Sequence, residues 1–464
     1  MIRNEVLRNR YLDSVSLMRA SRRLEALDGV RAAALMIGTP ANKALLRGAG
    51  LLAAEGEAAG ANDLVIAVRA EAESDARVAL ENARQILASQ EKSAAPGHAR
   101  SLAGALQVLP AANLALISVP GEFAALEARR ALEGGLHVMM FSDNVPLEEE
   151  IALKRLARER GLLMMGPDCG TALIAGTPLA FANAVPRGEI GIVSASGTGL
   201  QEVSSLVARL GGGISHGIGV GGRDLDARVG GLSTLAALEA LERDPATRTI
   251  VLLSKPPAPQ IAVRMREQLA KSAKRTVACF LGSAEPGLAR TLTEAAEIAM
   301  QRKVPALDDA APPARKGVVR GLYCGGSLCA EAEFIFRGAG LALGPGRHEF
   351  VDLGDDAYTR GRPHPILEPE LRNDHLRRTL AEPAVGTILI DMVIGYGAHA
   401  DPAGVLASAL GAPGSNRPAV IASVTGTEQD PQVWSRQAAI LRAAGVTVAA
   451  SNAQAAQLAA SLVA

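Results

Sequence analysis

Short apolar runs alternate with longer stretches of helical period along most of this chain. That alternation is the mark of parallel sheets covered by helices on both faces. It predicts an α/β protein of several Rossmann- or flavodoxin-like parallel-sheet domains. Strands are expected at 33–37, 64–68, 114–119, 190–193, 250–253, 276–280, 388–394 and 418–424. The run at 388–394 is broken by Asp391 and stays far below the ~20 apolar residues a membrane helix needs.

Turn-rich and polar stretches divide this pattern. A linker is expected at 88–100, so the first module ends near Gln90. Pro312-Pro313 cannot continue a helix, and with neighbouring charges it marks a second break at 308–316. A weaker boundary falls at Pro186-Arg187-Gly188. Four modules result: a small α/β module at 1–90, then 101–187, 188–310 and 317–464. The last two look like distant copies, each opening with a strand, a small-residue turn and a helix, and this suggests paired domains facing each other.

Length and charge narrow the class. With 464 residues the chain exceeds the roughly 250–300 residues of one core. Lys+Arg 48 balances Asp+Glu 48, which leaves no electrostatic footprint for nucleic acid or an anionic membrane and favours a small-molecule ligand. Cys169, Cys279, Cys324 and Cys329 form no Cys-x-x-Cys pair, and no secretory leader opens the sequence, so a reducing cytoplasm is expected.

Candidate chemistry gathers where strands end. In open parallel sheets ligands bind at the carboxyl edge, facing helix N-termini whose free N–H groups favour anions. Ser196-Gly197-Thr198 and Gly325-Gly326-Ser327 both have the small-residue composition of such a turn. An ordinary N-cap is the competing reading of each. Arg223, after the turn Gly219-Val220-Gly221-Gly222, could grip a carboxylate or phosphate or pair with Asp224 on the surface. Lys255 follows a strand and is either a ligand cation or a solvated lysine. Arg362, in Arg360-Gly361-Arg362-Pro363-His364-Pro365, could bind an anionic substrate. His399 is either an acid–base catalyst or a hydrogen-bonded structural residue. Glu428-Gln429-Asp430 reads as a helix cap, and no metal is assigned.

Several of these motifs carry a family likeness. Gly191-Ile192-Val193-Ser194-Ala195-Ser196-Gly197-Thr198, Gly217-Ile218-Gly219-Val220-Gly221-Gly222 and Asp244-Pro245-Ala246-Thr247 make 188–279 resemble the α-subunit ligase domain of succinyl-CoA synthetase. Val119-Pro120-Gly121-Glu122-Phe123 and Met165-Gly166-Pro167-Asp168-Cys169-Gly170 resemble the end of that subunit's CoA-binding Rossmann domain. Cys324-Gly325-Gly326-Ser327-Leu328-Cys329, Asp352-Leu353-Gly354-Asp355-Asp356 and Ile394-Gly395-Tyr396-Gly397-Ala398-His399 make 317–464 resemble the carboxyl-terminal ligase domain of the β-subunit. With Asp430-Pro431-Gln432 and Val448-Ala449-Ala450-Ser451-Asn452-Ala453-Gln454, the combination is similar to the FdrA proteins from about residue 25 onward.

That resemblance implies a subunit of an oxamate carbamoyltransferase of allantoin and ureide catabolism, in which oxalurate and phosphate give oxamate and carbamoyl phosphate. Phosphate would be a substrate and other subunits the partners, with a homo-oligomer also open. The alternatives are an acyl-CoA synthetase with a separate ATP-handling partner, and a non-catalytic scaffold. Three departures bear on the choice. The loop Leu281-Gly282-Ser283-Ala284-Glu285-Pro286 stands where the ligases read Gly-His-Ala-Gly, so no phosphohistidine is expected. No ATP-grasp domain separates the last two modules, and no Gly-x-x-x-x-Gly-Lys-Ser/Thr loop occurs. The glycine fingerprint is missing from the second module, which counts against CoA binding.

Overall fold

Runs of Val, Ile and Leu form buried strands, and the helices between them cover both faces of the sheets they make. The computed structural model describes the chain apart from Tyr11, Asp13, 94–98, Arg100, 306–308, Ala310, Ala314, 360–362, 412–416 and Ala464. Contacts divide it into two units. One is Met1–Asn113 with Ser118–Phe123 and Thr359–Pro363, and the other is the remainder.

The first unit contains β1 (Ile2–Leu7), α1 (Ser14–Glu25), β2 (Val30–Ile37), α2 (Pro40–Gly48), α3 (Ala54–Glu57), β3 (Leu64–Ala70), α4 (Glu73–Ser93) and α5 (Leu102–Val108). Its sheet runs β1-β3-β2 and is antiparallel at both pairings, unlike the sheets that follow. Central β3 is buried on both faces. Leu64, Ile66 and Val68 pack with Leu17 and Leu24 of α1 and Ala79 and Ala83 of α4, while Val65 and Ala67 pack with Leu46 of α2. The helix α4 continues to Ser93, past the expected module end near Gln90, because Gln90, Glu91 and Lys92 are good helix formers despite their polarity.

The second unit opens with β4 (Leu114–Ile117), α6 (Gly121–Glu133), β5 (His137–Met140), α7 (Leu147–Glu159) and β6 (Met164–Met165), a parallel sheet of order β4-β5-β6. Next, β7 (Thr171–Ile174) and β8 (Thr177–Ala180) form a hairpin. Its two-residue turn, Ala175 and Gly176, has φ of 50° and 84°, as the tightest hairpin turns require. Through β7 this hairpin joins the next sheet, of β9 (Arg187–Ser194), α8 (Gly197–Arg209), β10 (Ile214–Gly219), α9 (Leu232–Arg243), β11 (Thr249–Ser254), α10 (Pro259–Ala270), β12 (Arg275–Phe280) and α11 (Leu292–Met300).

The last sheet carries β13 (Val318–Tyr323), α12 (Gly326–Gly338), β14 (Glu349–Asp352), α13 (Asp356–Thr359), α14 (Glu370–Leu380), β15 (Val385–Val393), α15 (Pro402–Leu410), β16 (Ala419–Thr425), α16 (Trp434–Ala443), β17 (Thr447–Ala449) and α17 (Asn452–Ser461). The two large sheets are topological copies. Omitting the hairpin, one runs β10-β9-β11-β12 and the other β14-β13-β15-β16-β17, all parallel. Counted within each domain, both orders begin 2-1-3-4, the doubly wound pattern whose ligand crevice lies between strands one and three. One apolar core joins the copies, with Leu200 and Val203 of α8, Ala295 and Ala296 of α11, Leu328 and Ala332 of α12, and Ala455 and Ala459 of α17. Alanine at these contacts lets the helix backbones approach closely.

Among the described residues no helix is long and apolar enough to cross a membrane. All four cysteines are buried and free.

Candidate functional site

At each crevice a strand delivers its chain straight into a helix start. Ser194 ends β9 and α8 begins at Gly197, while Tyr323 ends β13 and α12 begins at Gly326. These two helix starts meet. A Cβ placed on Gly325 would lie 2.9 Å from Thr198 Oγ1, so glycine here is what allows the Thr198 side chain to rest against the second turn. A Cβ on Gly326 would run into the Asp352 carboxylate and come within 3.2 Å of Lys255 Nζ. The structure thus brings together Thr198, Gly325, Gly326 and Lys255. It adds Asp352 from the end of β14, a motif residue that was not among the expected site residues.

The starts differ in what satisfies them. Ser196 accepts the Gly199 N–H at 2.9 Å and is the N-cap of α8, so its hydroxyl acceptor serves the helix, as the competing reading held. Gly197 lies over Thr171 of β7, whose Oγ1 would be 2.9 Å from an added Cβ. No side chain caps α12, which opens on Gly326 and the buried Ser327. An uncapped helix start beside a lysine offers N–H donors and a cation, offset in part by the Asp352 carboxylate, and N–H donors with a cation are the chemistry that holds phosphate or carboxylate.

Asp391 braces this turn from below. Its carboxylate is fully buried and accepts the N–H groups of Cys324 and Gly325, both at 2.7 Å. Burial pushes its carboxyl up to about 7, opposed by Arg372 and the two N–H bonds. Arg372 holds the same strand by donating to the Asp391 carbonyl at 2.8 Å. Two donors of the turn are therefore already used, and the open ones belong to the first turn of α12. Burial also raises the Asp352 carboxyl, against the Gly354 N–H and Lys255.

Other expected residues are engaged elsewhere. Arg223 pairs with Glu150 at 2.8 Å and donates to the Val145 carbonyl, not to Asp224. Asp224 is buried instead beneath α9, accepting the N–H groups of Ser233 and Thr234 and the Lys154 ammonium at 2.7 Å. The Nδ1 of His399 accepts the Asp401 N–H at 3.0 Å just before α15, the structural role for that histidine. Glu428 does cap α16 through the Ser435 N–H, whereas Asp430 accepts from Asn183, Ala184 and Thr427. Arg362 lies outside the described residues.

The CoA-ligase family matches residues 322–462, and the AllF, heavy metal-associated domain matches residues 1–102. YahF of Escherichia coli (strain K12) is 40% identical over 96% of this chain and 95% of its own length. The chain belongs to the YahF family, the FdrA-type relatives of succinyl-CoA synthetase. Beyond this family, part of the chain is similar to α subunits of succinate–CoA ligases. Succinate–CoA ligase [ADP-forming] subunit alpha 1 of Archaeoglobus fulgidus is 27% identical over 43% of this chain and 70% of the relative. For the mitochondrial subunit alpha-2 of Trichomonas vaginalis the figures are 32%, 31% and 47%, so the chain spans about half of that relative. Among solved structures, a dinucleotide forming acetyl-coenzyme A synthetase of Ca. Korarchaeum cryptofilum covers 75% of this chain and 82% of its own at 15% identity and a TM-score of 0.32. Heavy metals call for soft thiolate ligands, yet residues 1–102 contain no cysteine, so the residues of this domain do not fit such an ion.

Proposed function

We propose that the facing starts of α8 and α12 bind the phosphate of an acyl phosphate, and that the chain is the acyl-transfer part of a CoA-ligase-type enzyme whose ATP-handling step belongs to a partner subunit. The observation that carries this reading is the contact of Thr198 with Gly325 beside Lys255 and the uncapped start of α12. The CoA-ligase match over 322–462 supports the same class. In such a step a phosphate oxygen attacks the thioester carbonyl of an acyl-CoA, the tetrahedral adduct collapses, and the CoA thiolate leaves to give acyl phosphate. Lys255 and the α12 N–H groups offset phosphate charge and orient it, which is the positioning such transfers depend on. The loop at 281–286 offers no histidine, so the phosphate is used directly and never carried on the chain.

A second reading keeps the site and changes the carbonyl. Carbamoyl phosphate is also a carbonyl–phosphate anhydride, formed when phosphate displaces oxamate from oxalurate. The match of 1–102 to the AllF domain and the absent histidine favour it. Incubating the chain, alone and with candidate partner subunits, with phosphate and either succinyl-CoA or oxalurate separates the two by whether phosphate-dependent release of free CoA thiol or of oxamate is observed. For the site itself, Lys255→Glu replaces an exposed cation and should weaken phosphate binding ~10-fold or more in calorimetry, with an unchanged circular dichroism spectrum. Equal affinity would remove the turn pair as the phosphate site.

A further inference from the structure

The two ligase-type domains exchange helix caps through a pair of buried glutamates. Glu202 follows Gly197 by five positions on α8, and Glu331 follows Gly326 by five on α12. The Glu331 carboxylate accepts the N–H of Leu292, first residue of α11 in the other domain, at 2.6 Å. In return the Glu202 carboxylate accepts the N–H of Asn452, first residue of α17, at 3.1 Å. Each glutamate thus supplies negative charge to a helix start across the boundary. Glu202 also accepts the Thr425 hydroxyl, and Glu331 the Asn452 side-chain amide at 2.7 Å. A hydroxyl pair completes the seam, because Thr293 in the first turn of α11 donates to Ser451, the N-cap of α17, at 2.9 Å. Glu202, Glu331 and Asn452 are all at most 2% exposed.

From this geometry we infer that Glu202 and Glu331 are positioning residues, which lock the two domains in one register and so set the spacing between the starts of α8 and α12. The consequence for ligand binding rests on the phosphate site proposed above. The lock does not. Both glutamates sit a turn and a half below those starts, on the helices that carry the site, so a shift of either cap moves its own helix start. Hydrophobic contact alone would allow sliding, because the α11 and α17 faces are rows of alanine, and directional bonds to buried carboxylates do not. Around Glu331 the ionisable groups are Glu202 of α8, Cys279 of β12 and Tyr323 of β13.

Amide hydrogen exchange of the whole chain tests the crossing. In Glu331→Ala, exchange should rise ~10-fold or more at the start of α11, in the other domain, and in Glu202→Ala at the start of α17. Glu331→Gln keeps a carbonyl for the Leu292 N–H and should restore most of the protection at α11. It also serves if the alanine variant does not fold. Inorganic phosphate affinity, measured on folded protein, should fall with Glu331→Ala and recover with Glu331→Gln. Exchange that rises only within the mutated helix overturns the lock. A crossed exchange pattern with unchanged phosphate affinity overturns the positioning role. If the unaltered chain binds no phosphate, the phosphate reading fails by itself and the exchange pattern still decides the lock.

Discussion

A single carboxylate in an apolar strand is the most informative residue of the site. Asp391 interrupts Val385–Val393, every position of which is buried, so it must earn its place by its bonds to Cys324, Gly325 and the neighbourhood of Arg372. Its carboxyl is raised from 3.8 to about 7, so the folded state holds a proton that the unfolded state releases. The stability it contributes is therefore full below about pH 4 and is lost as pH rises through about 7. Asp391→Asn should flatten the decline of unfolding stability over that window. Urea titrations at several pH values check it, and an unchanged slope would show that Asp391 is not the group responsible. The same scale explains why Gly197 is a poor probe of the anion turn. Any side chain there meets Thr171 at once, so lost binding would report the clash.

At the scale of elements, the helix starts of the second unit differ in what satisfies them. Thr291 caps α11 through the Glu294 N–H at 3.0 Å, and Ser451 caps α17 likewise through Gln454. Asp224 reaches α9 from a preceding loop, and α12 has no side-chain cap. Thr291→Ala should therefore lower stability by about 1 kcal/mol, with an unchanged m-value in denaturant titrations. A loss far above that would mean that Thr291 does more than cap α11. The difference between α8, capped by Ser196, and α12, left open, supports a position of the proposed phosphate nearer the turn at Gly325.

Across the whole molecule, buried charge ties the small parallel sheet to the first ligase-type sheet. Lys154 of α7 is fully enclosed between Glu150 and Asp224, each at 2.7 Å, and donates to the Val220 carbonyl. Lys154→Met keeps the volume but strands two buried carboxylates, so it should cost about 3–5 kcal/mol in chemical denaturation. A nearly neutral result would show that Arg223 and the α9 amides suffice for those carboxylates. The crossed glutamates do the corresponding work between the two ligase-type domains, with bonds that span 39 and 250 residues of sequence.

Every expected strand lies within or across an observed one, because an apolar run beside turn residues is a local signal that survives any tertiary context. Weaker runs escaped it: β10 carries two glycines, and β6 and β17 have two and three residues. The likeness of the last two domains was also legible, since each repeats strand, small-residue turn and helix. Partners were not. Arg223 found Glu150 and not its neighbour Asp224, His399 turned to Asp401, and Asp391 turned inward to brace Gly325. The antiparallel first sheet and the exchanged caps belong to the same class. The sequence by itself determined periodicity, turns and family, because these are properties of neighbouring residues. Which charge meets which helix start was decided only by tertiary structure, because a buried group takes its partner from whatever the fold brings within about 3 Å.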